Sequence, residues 1–182
     1  MRKSLSLVVT ALLAGGLATA AELQSGLPKG EFVPAFTVLD CSGPSKGDEL
    51  CYRCKYGNRP VVSIFTRELT PEVTQLTKAI DAAIAKNEDA KMAGFVVLLT
   101  DNAKAAASKL EETAAKNSIK NVPLTAFDGT TGPKPYKISD KAEVTVMMWV
   151  DSEVKVSKGF GKGELNKAAI DQILADTKTI LE

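Results

Sequence analysis

Three apolar runs set apart by helix-length segments constrain this chain most. They are VVSIF (61–65), AGFVVLLTD (93–101) and VPLTAF (122–127). Each is nearly continuous, as a strand covered on both faces requires. Between the first two lies TPEVTQLTKAIDAAIAKN. There Thr70 suits an N-cap, Pro71 the first helical position, and Glu72 the positive end of the helix dipole. Val73, Leu76, Ile80 and Ile84 recur every three to four residues and form one apolar stripe. Between the second and third runs, NAKAAASKLEETAAKN (102–117) has high helix propensity, with Leu110 as its main large anchor. This predicts a helix on an exposed face. Strands alternating with helices of this length demand a mainly parallel sheet, with helices expected on both faces. The fold class is α/β.

The flanks add to this frame. FVPAFTVLD (32–40) reads as a short strand interrupted at Pro34, which suits a sheet edge. EVTVMMWV (143–150) and EVKVSKGF (153–160) predict a hairpin turning at Asp151-Ser152, an antiparallel edge to the sheet. Met147, Met148 and Trp149 read as core. A final helix carries Ile170, Ile173, Leu174 and Ile180 on its buried side. ELQSGLPKG (22–30) reads as a mobile lead-in.

The start of the chain has a different character. Arg2 and Lys3 precede an apolar run from Leu5 to Leu17, and Ala18-Thr19-Ala20 and Thr19-Ala20-Ala21 both fit a small-x-small cleavage site. The run is too short for a membrane span, so residues 1–21 are expected to be a signal peptide. The product is then periplasmic or secreted, with no membrane span in the mature chain. Residues 22–182 make one domain, large enough to bury a core. Cleavage removes two cations, taking the net charge from +1 to −1. That balance gives no reason to expect nucleic acid as a partner. With no His in the chain, Ser/His and Cys/His catalytic pairs and His-based metal sites are excluded.

Chemistry therefore rests on sulfur. All three cysteines, Cys41, Cys51 and Cys54, fall in the segment CSGPSKGDELCYRCKYGNRP, read as one long loop before the first central strand. Three readings stay open. Cys41 could pair with Cys51 or Cys54 as a clip, which stabilises by up to roughly 3 kcal/mol on the chain-entropy account. Alternatively, Cys51 and Cys54 form a redox pair, with Cys41 as a resolving thiol and Arg53 and Lys55 favouring the thiolate. The third reading gathers the three thiols around zinc or a soft metal, with Asp40 or Asp48 as fourth ligand. Haem attachment is unsupported, because Lys55 stands where its histidine would be. No cofactor is implied.

The order of elements, together with VPAFTVLD…RPVVSIF and VTVMMWVDSEVKVSKGFG, resembles the thioredoxin-like superfamily, specifically its redoxin branch of peroxiredoxins and periplasmic thiol oxidoreductases. The resemblance implies a central mixed sheet flanked by helices, with an N-terminal strand extension. It also implies thiol–disulfide exchange with a protein thiol or disulfide. In that branch the reactive cysteine sits where the helix following the first central strand begins. Here that corner reads FTRELTPEV, and neither Thr70 nor Val73 is a cysteine. Ala142 and Glu143 stand where the branch carries a cis-proline or an arginine before its late hairpin. Arg67 and Glu68 read as a solvated ion pair at the corner. The expected catalytic residues are thus Cys51 and Cys54, relocated to the opposite pole of the sheet. The alternative is a non-catalytic binding module that kept the fold and uses its cysteines as clips.

Overall fold

A computed structural model describes residues 23–182. The leader read at residues 1–21 lies outside them. Seven strands form one sheet in the order β2-β1-β5-β4-β3-β6-β7. They are β1 (Val38–Asp40), β2 (Glu49–Leu50), β3 (Val61–Thr66), β4 (Ala93–Thr100), β5 (Leu124–Asp128), β6 (Val144–Val150) and β7 (Glu153–Phe160). The helices are α1 (Tyr52–Tyr56), α2 (Pro71–Lys86), α3 (Ala103–Lys116), α4 (Lys167–Asp176) and α5 (Lys178–Leu181). Among the described residues no helix is long and apolar enough to cross a membrane.

β3, β4 and β5 run parallel, as the three apolar runs predict, while β6 joins β3 antiparallel. Every residue of β3 is buried. The Thr70 hydroxyl caps α2 by accepting the Val73 N–H at 3.2 Å, and Val73, Leu76, Ile80 and Ile84 all lie in the core. Burying each of these side chains stabilises by about 1.5–3 kcal/mol. The hairpin turns where expected. Asp151 and Ser152 both hold positive φ (53° and 65°), the pairing that matches the right-handed twist of the flanking strands.

The long helices do not divide between the two faces of the sheet. The stripes of α2, α3 and α4 all pack in one cluster with Val62, Ile64, Val96, Leu124 and Met148. The reason is directional. The crossovers β3-α2-β4 and β4-α3-β5 step the same way along the sheet, and right-handed crossovers in one direction place both helices on one face. The second face is covered otherwise. Val61, Phe65, Phe95, Met147 and Trp149 pack beneath Leu27, Val33, Tyr52 and Tyr136. These cover residues come from the amino-terminal segment, from α1 and from a 3-10 turn at Lys134–Tyr136.

The segment from Leu23 to Phe36 is therefore a pinned strap and not a mobile lead-in. The Ser25 and Thr145 hydroxyls hydrogen-bond at 2.6 Å, and the Leu27 N–H reaches the Met147 sulfur at 3.3 Å. Leu23 and Phe32 bridge to the two ends of β7, at Gly159 and Glu153. Consequently the predicted 32–40 strand shrinks to Val38–Asp40. That strand lies inside the sheet, because β2 takes the edge.

Candidate functional site

The cysteine segment is a strand and a helix, and its direction follows from strand pairing. β1 runs antiparallel to β5, with Leu39 opposite Ala126. β2 runs antiparallel to β1, with Leu50 opposite Val38. β2 is therefore parallel to β3, β4 and β5, and the chain reaches Cys51 while travelling toward their carboxyl ends. Helix α1 then turns back so that Pro60 can feed the amino end of β3. The contacts of α1 lie on the amino half of the central strands: the Tyr56 hydroxyl meets the Gly94 carbonyl at the start of β4, and Arg53 meets Val33, whose N–H bonds the Ser152 carbonyl in the turn between β6 and β7. The expected opposite pole is therefore not overturned, although Cys51 itself follows the carboxyl end of the outermost strand. It remains far from the start of α2. Four inter-strand steps separate β2 from β3, about 19 Å in all at ~4.8 Å each. In addition, α1 and α2 pack on opposite faces.

What holds so short a helix is its surroundings. Tyr52 and Tyr56, one turn apart, both lie against Phe95, with ring centroids 5.5 and 6.2 Å from it. The Tyr56 hydroxyl donates to the Gly94 carbonyl at 3.2 Å. The Tyr52 hydroxyl donates to the Asp40 carboxylate at 2.8 Å. Asp40 is 1% exposed, and its other acceptor sites are filled by the N–H groups of Ser42, Gly43 and Ser45 at 3.2, 2.6 and 2.9 Å. A buried carboxylate is tolerated only when so satisfied. Gly43 is required here, because a Cβ at that position would collide with the Tyr52 hydroxyl and both Asp40 oxygens. Burial, then the Asp40 hydrogen bond and charge, hold the Tyr52 hydroxyl far above its ordinary pKa, so it stays a donor.

On this anchored helix Cys51 and Cys54 form a disulfide, with Cα atoms 5.2 Å apart. Cys51 is the N-cap residue, and its sulfur accepts the Cys54 N–H at 3.1 Å. Cys51 is half-buried and Cys54 exposed. Arg53 donates from Nε to the Val33 carbonyl at 2.9 Å, tying the motif to the strap. Lys55 Nζ donates to Ser45 Oγ at 3.1 Å and stands 5.6 Å from the Tyr52 ring centroid. The motif thus has one amide directed at sulfur, a hydrogen bond that favours a thiolate at Cys51, while its two cations are engaged with Val33 and Ser45.

Cys41 is separate from this pair. It is free, buried, and part of the cluster on the α2 face, opposite the face that holds Tyr52. Burial first, then the Asp40 charge, pushes its pKa up to about 11. Its thiol is therefore protonated at neutral pH. The clip between Cys41 and the motif is replaced by the Cys51–Cys54 bond. Among the described residues, no three Cys, Asp or Glu side chains converge on a common point, so the three-thiol metal site is not assembled.

The corner after β3 is built differently from the sequence reading. Arg67 is not in a solvated ion pair with Glu68. Its guanidinium donates to the carbonyls of Ala142 (2.9 Å), Ser139 (3.1 Å) and Thr130, joining the strand end to the segments before β6. Beside it a cleft of about 430 Å³ is lined by Glu68, Thr70, Glu143, Lys162 and Asn166. Its walls contain no cysteine.

No family model matches the chain, and no curated protein matches it. Solved structures do. A mutant of PrxQ from Xylella fastidiosa superposes with a TM-score of 0.62 at 12% identity, covering 87% of this chain and 100% of that one. Peroxidoxin BcpB from Mycobacterium tuberculosis gives 0.60 at 18%, covering 84% and 97%. A provisionally assigned thiol:disulfide interchange protein DsbE from Chlorobium tepidum gives 0.58 at 19%, covering 83% and 99%. The fold is thioredoxin-like, a mixed sheet flanked by helices with an added amino-terminal strand pair, of the kind seen in redoxins.

Proposed function

We propose that this chain is an exported thiol–disulfide exchange protein, freed of residues 1–21 and working through Cys51 and Cys54. The observation that carries this reading is the disulfide itself: it closes across a sequence separation of 3, on a helix where one of the two cysteines is exposed. On the chain-entropy account so short a ring stabilises by only about 2 kcal/mol, less than a clip to Cys41 would. A bond that contributes little to the fold can be opened and remade at little cost to it. Peroxiredoxin and DsbE structures among the neighbours support a thiol-based chemistry on this fold. An apolar leader read at residues 1–21 suits an oxidising compartment.

The chemistry is two-electron exchange with a protein dithiol or disulfide. A thiolate attacks one sulfur of a disulfide, the other sulfur leaves as thiolate, and a second thiolate resolves the mixed disulfide. The test is a redox titration of the purified protein against glutathione buffers. Equilibration within minutes at about −200 mV supports exchange; a potential below about −300 mV marks a structural bond. That second result would favour the binding-module reading. It has one observation on its side: the corner after β3 carries Thr70 and Val73 in place of cysteines, and Arg67 is fully engaged with backbone.

A further inference from the structure

We infer that Cys54, the second cysteine of the motif, forms the mixed disulfide with substrate, and that Cys51 is the leaving and resolving sulfur. This rests on the exchange reading above and assigns the order within it. Two independent observations carry it. The first is access. Cys54 is exposed, whereas Cys51 is half-buried between the end of β2 and the first turn of α1. Exchange requires a nucleophile in line with the sulfur–sulfur bond, so attack falls on the cysteine that is more open to solvent. The second is where the protein stabilises charge. The Cys54 N–H points at Cys51 Sγ at 3.1 Å and is already in place in the oxidised state. A thiolate expelled at Cys51 accepts that hydrogen bond with no rearrangement, since Tyr52 and Arg53 fix the backbone between the two cysteines. A thiolate expelled at Cys54 has no corresponding donor among the hydrogen bonds of the described residues.

The step balances as follows. A substrate thiolate attacks Cys54 Sγ. The substrate–Cys54 bond forms, the Cys51–Cys54 bond breaks, and its electron pair leaves on Cys51. The second thiolate of a dithiol substrate then attacks the substrate's own sulfur in the mixed disulfide and expels Cys54. The substrate is oxidised by two electrons and the protein reduced by two. In the reverse direction Cys54 attacks a substrate disulfide and Cys51 resolves. Either way the adduct resides on Cys54.

Mixing oxidised protein with excess reduced glutathione, quenching with acid and mapping the adduct by peptide mass analysis tests the assignment. The glutathionyl group is expected on Cys54. Two variants provide a second reading. With glutathione disulfide, Cys51→Ser should accumulate an adduct at least about tenfold faster than Cys54→Ser, because the cysteine it keeps is the more exposed one. Adduct on Cys51, or equal rates in the two variants, overturns the order while leaving exchange intact. Absence of any adduct in wild type and in both variants removes the exchange reading and this assignment with it. Mapping also distinguishes either outcome from adventitious modification of Cys41.

Discussion

Tyr52→Phe isolates the contact that holds the cysteine helix to the sheet. The substitution removes only the hydroxyl. The ring keeps its stacked position 5.5 Å from Phe95, so no cavity opens. What is lost is one of four donors to the Asp40 carboxylate, which is almost completely removed from solvent. A hydrogen bond to a charged group contributes about 1.5–3 kcal/mol, and a buried carboxylate left short of a donor forfeits most of that. In a domain of this size each kcal/mol shifts the melting temperature by about 2–4 °C, so a fall of about 3–12 °C is expected. Urea denaturation should show the midpoint moving with an unchanged m-value. Asp40→Asn should cost more. Each carboxylate oxygen accepts two donors, and an amide NH2 would face one of those pairs with hydrogens. The double variant should then cost less than the sum of the singles, because both remove the same bond. A loss below about 0.5 kcal/mol for Tyr52→Phe would refute the view that this carboxylate anchors the helix.

Three further outcomes follow from the same contacts. Reducing the Cys51–Cys54 bond should lower the melting temperature by about 4–8 °C, from a ring contribution of about 2 kcal/mol; a drop beyond about 15 °C in a calorimetric scan would make the bond structural. Cys41 gives stability a pH dependence. Its folded pKa is raised from 9.0 to about 11, so its contribution is complete below pH 9 and is lost as pH rises toward 11. Between pH 9 and 10, denaturation of the wild type should show a loss of up to about 1.4 kcal/mol that Cys41→Ala lacks. Arg67→Lys should destabilise by about 2–4 kcal/mol, because one ammonium nitrogen cannot span the three carbonyls that Nε, Nη1 and Nη2 each reach; an unchanged urea midpoint would contradict that role.

What the sequence made legible was whatever is encoded in apolar runs and caps. The β3, β4 and β5 runs, the Thr70-Pro71 start of α2 and the Asp151-Ser152 turn are local signals, and each appears where the residues place it. What stayed illegible depends on partners distant in the chain. β2 has two residues and exists only because β1 lies beside it. Helix α1 has five residues, too few to be stable by propensity. Its one available signal was Tyr52 and Tyr56 at i, i+4, which marks a single face packed on something aromatic. Arg67 was read as a surface charge because its three acceptors are backbone carbonyls between positions 130 and 142, and carbonyls leave no mark in sequence. The placement of all long helices on one face was derivable in principle, but only once the strand order was known.

The position of the disulfide then follows from geometry. A reactive disulfide needs an amide aimed at the sulfur that leaves and an exposed approach to the other. In this chain the first position after β3 that could supply an amide is spent on the Thr70 hydroxyl, and the cation there, Arg67, is spent on carbonyls. Neither is free to serve sulfur. Helix α1 supplies what the corner does not: the Cys54 amide meets Cys51, and Cys54 itself is exposed. The helix is fixed at the sheet by Tyr52 and Tyr56 and at the strap by Arg53, so opening the bond need not move the chain. Rigidity of this kind separates the chemistry from the core. A change in redox state should therefore leave the near-ultraviolet signal of Trp149, 6.1 Å from Phe95 beneath the helix, nearly unchanged. A large redox-dependent change in that signal would mean that α1 detaches on reduction, and the anchoring contacts would then belong to the oxidised state alone.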